Sequence, residues 1–189
     1  MSVIIIGPRD RLQDKDVRII NVTSHSTNVF KQLSPFYLGP VNLYSSYRAE
    51  RMENGWQYAK VYREHLDEKG NPSHAYFSWA HRGWLSLYAD RYPMGKSAVP
   101  EYSWWGGEKL GYIEARKKIY IPLYHTAAKD TEAFRLLREQ YRMHGTIALW
   151  DFDGWDNRKL QMSLNAVVDY KERKMGHAFV LAMMLEGLL

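Results

Sequence analysis

The 189-residue chain contains no cysteine, which removes disulfides, thiolate metal sites and a cysteine nucleophile together. No apolar run approaches the roughly 18 residues of a membrane-spanning helix. The opening Met1-Ser-Val-Ile-Ile-Ile-Gly-Pro8 lacks the basic lead and apolar stretch of a secretory signal. A soluble, cytoplasmic protein is expected. Neither His-Glu-x-x-His nor the paired spacing of a helical zinc site occurs among the seven histidines, so neither a metal nor a cofactor is expected. Gly106-Gly-Glu-Lys109 lacks the spacing and hydroxyl of a phosphate-binding loop, and neither G-x-G-x-x-G nor a G-x-S-x-G elbow is present. The net charge of +5 is spread thinly, with no basic cluster longer than Arg116-Lys-Lys118. It permits an anionic partner, a nucleotide or nucleic acid, without deciding on one. The two Trp-Asp pairs, at 150–151 and 155–156, are too close to be propeller blades, and there is no repeat.

What the chain has in excess is aromatic surface, with 14 Tyr and 7 Trp. These residues suit flat ligands such as bases and sugars, and equally a core with satisfied polar tips. With 46% hydrophobic residues, the length suits one domain with one substantial core.

The stretch Arg51–Leu66 organises the reading. As a helix it gathers Met52, Gly55, Ala59, Tyr62 and Leu66 into one apolar sector, and lines up Glu53, Gln57, Lys60 and Glu64 within about 60°. An ordinary solvated face with Glu/Lys pairs is the competing interpretation. Trp56, Tyr58 and Tyr62 are more aromatic surface than such a face needs, and a helical glycine at 55 costs about 1 kcal/mol relative to Ala. Both favour a site. A lysine can attack a carbonyl or masked aldehyde such as ribose C1′ once deprotonated, with Glu53 or Asp153 moving protons. The acidic cluster Asp151, Asp153 and Asp156 is the other candidate, against a turn-capping role.

The remaining elements follow from pattern. Val3–Ile6 and Val17–Val22 read as strands, Val29–Leu33 as a short capped helix, Ser34–Pro40 as a rigid aromatic loop, and Val41–Tyr44 as a strand. Ser45-Ser46 should turn the chain into the key helix near Arg48. After the break Asp67–Pro72, a second helix should run from Ser73 to about Asp90, with Leu87 and Tyr88 on its apolar face. Residues 91–107 read as an irregular loop carrying Trp104-Trp105, and Glu108 to Ala127 as a helix that Pro122 kinks or splits. Asp130 should cap an amphipathic helix ended by Gly145, with a strand over Thr146–Phe152, a helix over Arg158–Tyr170 and an apolar core helix from Met175. The expected architecture is α+β: one mostly helical domain, 1–189, with a small sheet, β-rich over 1–44 and with its catalytic helix at 48–66.

Two of these stretches, Leu33-Ser-Pro-Phe-Tyr-Leu-Gly-Pro40 and Glu53-Asn-Gly-Trp-Gln-Tyr-Ala-Lys60, resemble the start of the NADAR domain, in which an LSNFYP loop precedes an EHxFQxxKF helix. Leu149-Trp-Asp-Phe-Asp-Gly-Trp155 is similar to that family's late acidic segment, and Lys174-Met-Gly-His177 to the NxLG that opens its last helix. The resemblance implies a NADAR-like fold and an N-glycosidase, a hydrolase acting on a ribosylated nucleobase or on ADP-ribose linked to a nucleotide or nucleic acid. It also implies Glu53 as acid/base and Lys60 as Schiff-base lysine, with Asp151 and Asp153 both candidates for the late acidic position. Phe36, Tyr37 and Trp56 would stack the base, with Asn54, Gln57, Trp105 and Trp155 as further substrate contacts. The chain departs from the pattern at Pro35 (loop Asn), Asn54 (His) and Asp156 (Gly), and the mid-chain Trp falls among Trp104, Trp105 and Tyr112. A nucleotide- or nucleic-acid-binding protein that keeps the pocket without the chemistry is the alternative. A structural or interaction role would need an exposed apolar surface.

Overall fold

The computed structural model describes residues 1–189. It opens with β1, Ser2–Ile6, and β2, Arg18–Asn21, where the β-branched runs place them. Asn28 caps a 3-10 turn over Val29–Leu33, its side chain accepting from the Phe30 N–H. β3, Val41–Asn42, pairs antiparallel with β4, Arg48–Ala49, so Ser45-Ser46 leads into a strand instead of a helix.

α1 spans only Met52–Gln57. The continuous helix expected over 51–66 gives way to β5, Lys60–Val61, and a 3-10 turn over Arg63–His65. The cause is tertiary. The Trp104 N–H donates to the Ala59 carbonyl (2.7 Å) and the Glu101 N–H to the Val61 carbonyl (2.8 Å). Tyr58, Val61 and Tyr62, poor helix formers, yield to that pairing.

Ser73 caps α2, His74–Trp84, which stops short of Asp90. Leu87 and Tyr88, expected on its buried face, are 64% and 84% exposed. β6, Tyr102–Trp105, and β7, Glu108–Leu110, then form a hairpin. Its two-residue turn is Gly106-Gly107 at φ of 57° and 100°, the positive values that such a turn demands. This corrects both the irregular assignment of Trp104-Trp105 and the helix expected from Glu108.

α3, Tyr112–Ala115, runs through a π-helical stretch, Arg116–Tyr120, into α4, Ile121–Ala128. Pro122 has no N–H to give, and its ring crowds the carbonyl four residues back. The wider spacing relieves this, with the Ile121 N–H reaching the Arg116 carbonyl.

α5, Glu132–His144, is capped by Thr131, not Asp130, and closed by Gly145 at φ 69°. β8 is Thr146–Trp150. Asp156 caps a 3-10 turn over Asn157–Leu160, and left-handed Gln161 separates it from α6, Leu164–Asp169, splitting the helix expected there. α7, His177–Leu185, is buried from His177 to Met183, as its all-round apolar sequence requires.

The chain gathers into two compact units. Met1–Ser34 with Tyr124–Leu189 forms one, and Pro35–Leu123 the other. In the first, β1, β8 and β2 make a parallel sheet with β8 central, Ile4 and Ile19 both in register with Ala148. Ile147, Ala148 and Leu149 are fully buried, the continuous apolar run of a strand covered on both faces. In the second, α1 and α2 accompany the β3-β4 ribbon and the three-stranded β5-β6-β7 sheet. The class is α+β, with three small sheets in place of one. No helix is long and apolar enough to cross a membrane.

Candidate active site

The start of α1 is held by the aromatic loop before it. The Met52 N–H donates to the Leu38 carbonyl (2.8 Å) and the Glu53 N–H to the Pro35 carbonyl (3.0 Å), satisfying first-turn donors that Arg51, the N-cap, leaves alone. Position 35 thus serves through its carbonyl, which proline retains. At Gly39, φ is 143° and a Cβ would lie 2.3 Å from the Glu50 carbonyl oxygen, so only glycine lets the loop close on the backbone just after β4.

All six α1 residues are buried, the polar ones included. Gln57 Nε2 donates to Glu53 Oε1 at 2.8 Å, one helical turn away. Lys60 Nζ donates to Gln57 Oε1 at 2.6 Å. Although Lys60 stands on β5 and not on α1, the turn at Tyr58-Ala59 brings its amine back to the same stripe. Its Nζ lies 5.0 Å from the centre of the Trp56 ring, a cation–π placement. Tyr120 packs edge-on against Trp56 at 5.2 Å. The carboxylate, amide, amine and indole expected to converge do so, with Lys60 half-buried at the outer end.

Arg116 is the residue that pattern reading overlooked. It counts within a basic triplet, yet Lys117 and Lys118 are exposed while Arg116 is buried. Its Nη2 donates to Tyr112 Oη (2.9 Å) and its guanidinium lies 4.4 Å from that ring's centre. The π-helical stretch sets it one turn from Tyr120, and such stretches concentrate at functional sites. Pro122 was the available signal.

Other expected residues are placed differently. Asn54 is fully buried and its amide is engaged by backbone at Gly83, Ser86, Tyr88 and Asp90, so it holds a loop. Gly55 lies against side chains of Leu43, Leu123 and Val41; its small size serves packing. Phe36 is half-buried and Tyr37 exposed. Trp105 meets Tyr44 edge-on at 5.0 Å.

Asp151, Asp153 and Trp155 belong to the first unit. Asp151 Oδ2 accepts from the Ala178 N–H (3.1 Å) at the start of α7 and lies 3.2 Å from His177 Nδ1. His177 Nε2 is 2.8 Å from the Val22 carbonyl. That carbonyl can only accept, so Nε2 is the donor there. Asp151 therefore caps a helix and locks a histidine. Asp153 lies 4.0 Å from Lys174 Nζ. The Trp155 indole donates to the Lys174 carbonyl (2.9 Å) and packs on Phe179, a core role. Asp156 grips Arg158 through both carboxylate oxygens, which holds it below the usual carboxylate range.

A family model matches residues 10–167, taking in most of both units. The chain belongs to the family of unknown function DUF6939. Among solved structures, this DUF6939 chain is similar to the NMR structure of the E. coli protein YbiA at 14% identity and a TM-score of 0.49, over 90% of this chain and 84% of that one. No curated protein matches it.

Proposed function

We propose that this DUF6939 protein is an N-glycosidase that opens the C1′–N bond of a ribosylated nucleobase or an ADP-ribose-linked substrate through a lysine imine. The observation that carries the reading is the Glu53–Gln57–Lys60 hydrogen-bond chain laid beside Trp56. The resemblance of the same residues to the NADAR helix supports it.

In this scheme the neutral Lys60 amine attacks C1′, and the C1′–N bond breaks with its electron pair going to the base. Glu53, in its acid form, protonates the departing nitrogen and then, as carboxylate, takes the proton that Nζ releases. The Nζ lone pair next expels the ring oxygen, which collects that proton from Glu53, leaving an open-chain imine. Water adds to C1′, the amine departs, and the sugar leaves as the aldehyde. Gln57 holds both reacting groups at fixed separation, and Trp56 provides an apolar wall.

The test is borohydride reduction of the full chain with NAD⁺, ADP-ribose or ribosylated guanine nucleotides, followed by intact mass and peptide mapping. A reduced adduct on Lys60 that vanishes in Lys60→Ala is the expected result. Turnover that survives Lys60→Ala would remove the lysine mechanism. Binding without adduct or turnover would assign the pocket to recognition alone, making the protein a nucleotide- or nucleic-acid-binding one.

A further inference from the structure

The segment that follows α2 is fixed in place far more firmly than its exposure explains. Asn54 Nδ2 donates to the carbonyls of Gly83 (3.0 Å), Ser86 (3.4 Å) and Tyr88 (2.8 Å), while its Oδ1 accepts the Asp90 N–H (2.8 Å). Arg51 Nε donates to the Leu87 carbonyl (2.9 Å) and the Tyr58 hydroxyl to Asp90 Oδ2 (3.2 Å). Thus α1, with the residues flanking it, dictates the path of the backbone from 83 to 90.

Ordering backbone is costly and is ordinarily offset by burying side chains. Here the side chains face the other way: Leu85, Leu87 and Tyr88 are 52%, 64% and 84% exposed. Just beyond, the Arg91 guanidinium sits 5.4 Å from the centre of the Tyr92 ring. An exposed phenol, flanking aliphatics and a guanidinium on a rigid backbone are the elements that stack a base and meet a phosphate. Position supports this. Asn54 on α1 and Tyr58, its C-cap, each follow a residue of the reactive stripe, Glu53 and Gln57, by one position, about 100° of helix, so the groups that hold the segment lie beside the reactive ones.

We propose that residues 83–92 form a preorganised subsite for the nucleobase-bearing part of the substrate, with Tyr88 as the stacking surface and Asn54 as the positioning residue. The proposal takes its substrate class from the N-glycosidase reading. A platform ordered before binding spares the ligand that ordering cost. It also gives a use to Asn54, where the chain departs from the NADAR pattern.

The experiment measures calorimetric affinities for ADP-ribose and for ribose 5-phosphate, which lacks the base, in the full chain carrying Lys60→Ala so that no turnover intervenes. Tyr88→Ala should weaken ADP-ribose by about 5- to 100-fold, the range of one lost base stack, and leave ribose 5-phosphate unchanged. Tyr88→Phe should retain affinity. Asn54→Asp, which sets a carboxylate against three carbonyls, should lower ADP-ribose affinity in the same sense and speed amide exchange over residues 83–90. Should Asn54→Asp fail to fold, the exposed Tyr88 pair still decides the matter. Equal ADP-ribose affinity in Tyr88→Ala and its parent, equal loss of both ligands, or no ADP-ribose binding at all overturns the subsite. Adduct trapping in the Lys60-containing chain is scored separately. Tyr88-dependent binding without an adduct sinks the chemistry and keeps the subsite; an adduct whose formation ignores Tyr88 does the reverse.

Discussion

Gly83 lies directly against the Tyr58 ring: a Cβ built at Gly83 would stand 2.1 Å from Tyr58 Cε1. No side chain fits there unless the ring moves, and the ring is held by the Tyr58 hydroxyl on Asp90 and by Trp79 packed 4.5 Å from it. Burial, reinforced by Asp90, pushes the Tyr58 hydroxyl up to about 12, so it remains a donor at neutral pH. Gly83→Ala should therefore destabilise the fold by about 1–3 kcal/mol, the usual range for overpacking. Chemical denaturation checks this, and a loss within a few tenths of a kcal/mol would show that the ring yields freely.

In the first unit, Asp151→Ala should cost about 3 kcal/mol, because it strips a cap from α7 and leaves the buried His177 facing an empty partner. Asp151→Asn should cost distinctly less. Its amide oxygen can keep the Ala178 N–H and so preserve the α7 cap, while the carboxylate oxygen that also faced His177 is lost. Urea midpoints of the two variants, compared with the parent, test the ordering; equal losses would show that the contact with His177, and not the α7 cap, carries the cost.

Stability should also fall on the acid side through His65. Its burial lowers the imidazole below the ordinary histidine range, outweighing the upward pull of Glu64. A folded-state value below the unfolded one, about 6.5, means the unfolded chain binds more protons in between. This contribution is complete above about pH 6.5 and is lost as pH falls through the folded value. His65 Nδ1 has no hydrogen-bond partner, and the ring packs at a tilt against Trp79, 4.4 Å between centres. His65→Phe should keep the packing and flatten this part of the slope. Melting temperatures between about pH 7.5 and about pH 5 make the comparison, and an unchanged slope in the variant would remove His65 from the account.

Within the proposed chemistry, Gln57→Leu keeps the side-chain bulk and deletes both links between Glu53 and Lys60. The expected effect is a fall in kcat of about 100-fold with KM little changed, as for misplaced reacting groups. Steady-state kinetics on whichever substrate gives the Lys60 adduct would decide it. A rise in KM with kcat intact would instead make Gln57 a substrate contact.

Local signals in the sequence already determined a large part of this protein. The β-branched run at Val3–Ile6, the apolar run Ile147–Leu149, the Asn28 cap, the amphipathic period of α5 with Gly145 after it, and the all-round apolar α7 each specify their element through backbone preference or the pattern of burial. The Glu53–Gln57–Lys60 grouping was legible as well, since three- and four-residue spacings bring side chains together for as long as the first turns are helical. What only tertiary structure decided was where helix yields to strand and which polar groups are spent. The Tyr102–Trp105 strand lies more than forty residues downstream of Ala59–Val61, and pairing between them ends α1 at Gln57 in a way that no local window contains. Asn54, Asp151 and Trp155 carry ligand-suited side chains, but their hydrogen bonds go to Gly83, Ala178 and Lys174, partners that are distant in sequence. Arg116 is buried while Lys117 beside it is exposed. Hydrogen-bond capacity is finite, and which distant group claims it is settled only when the chain has folded.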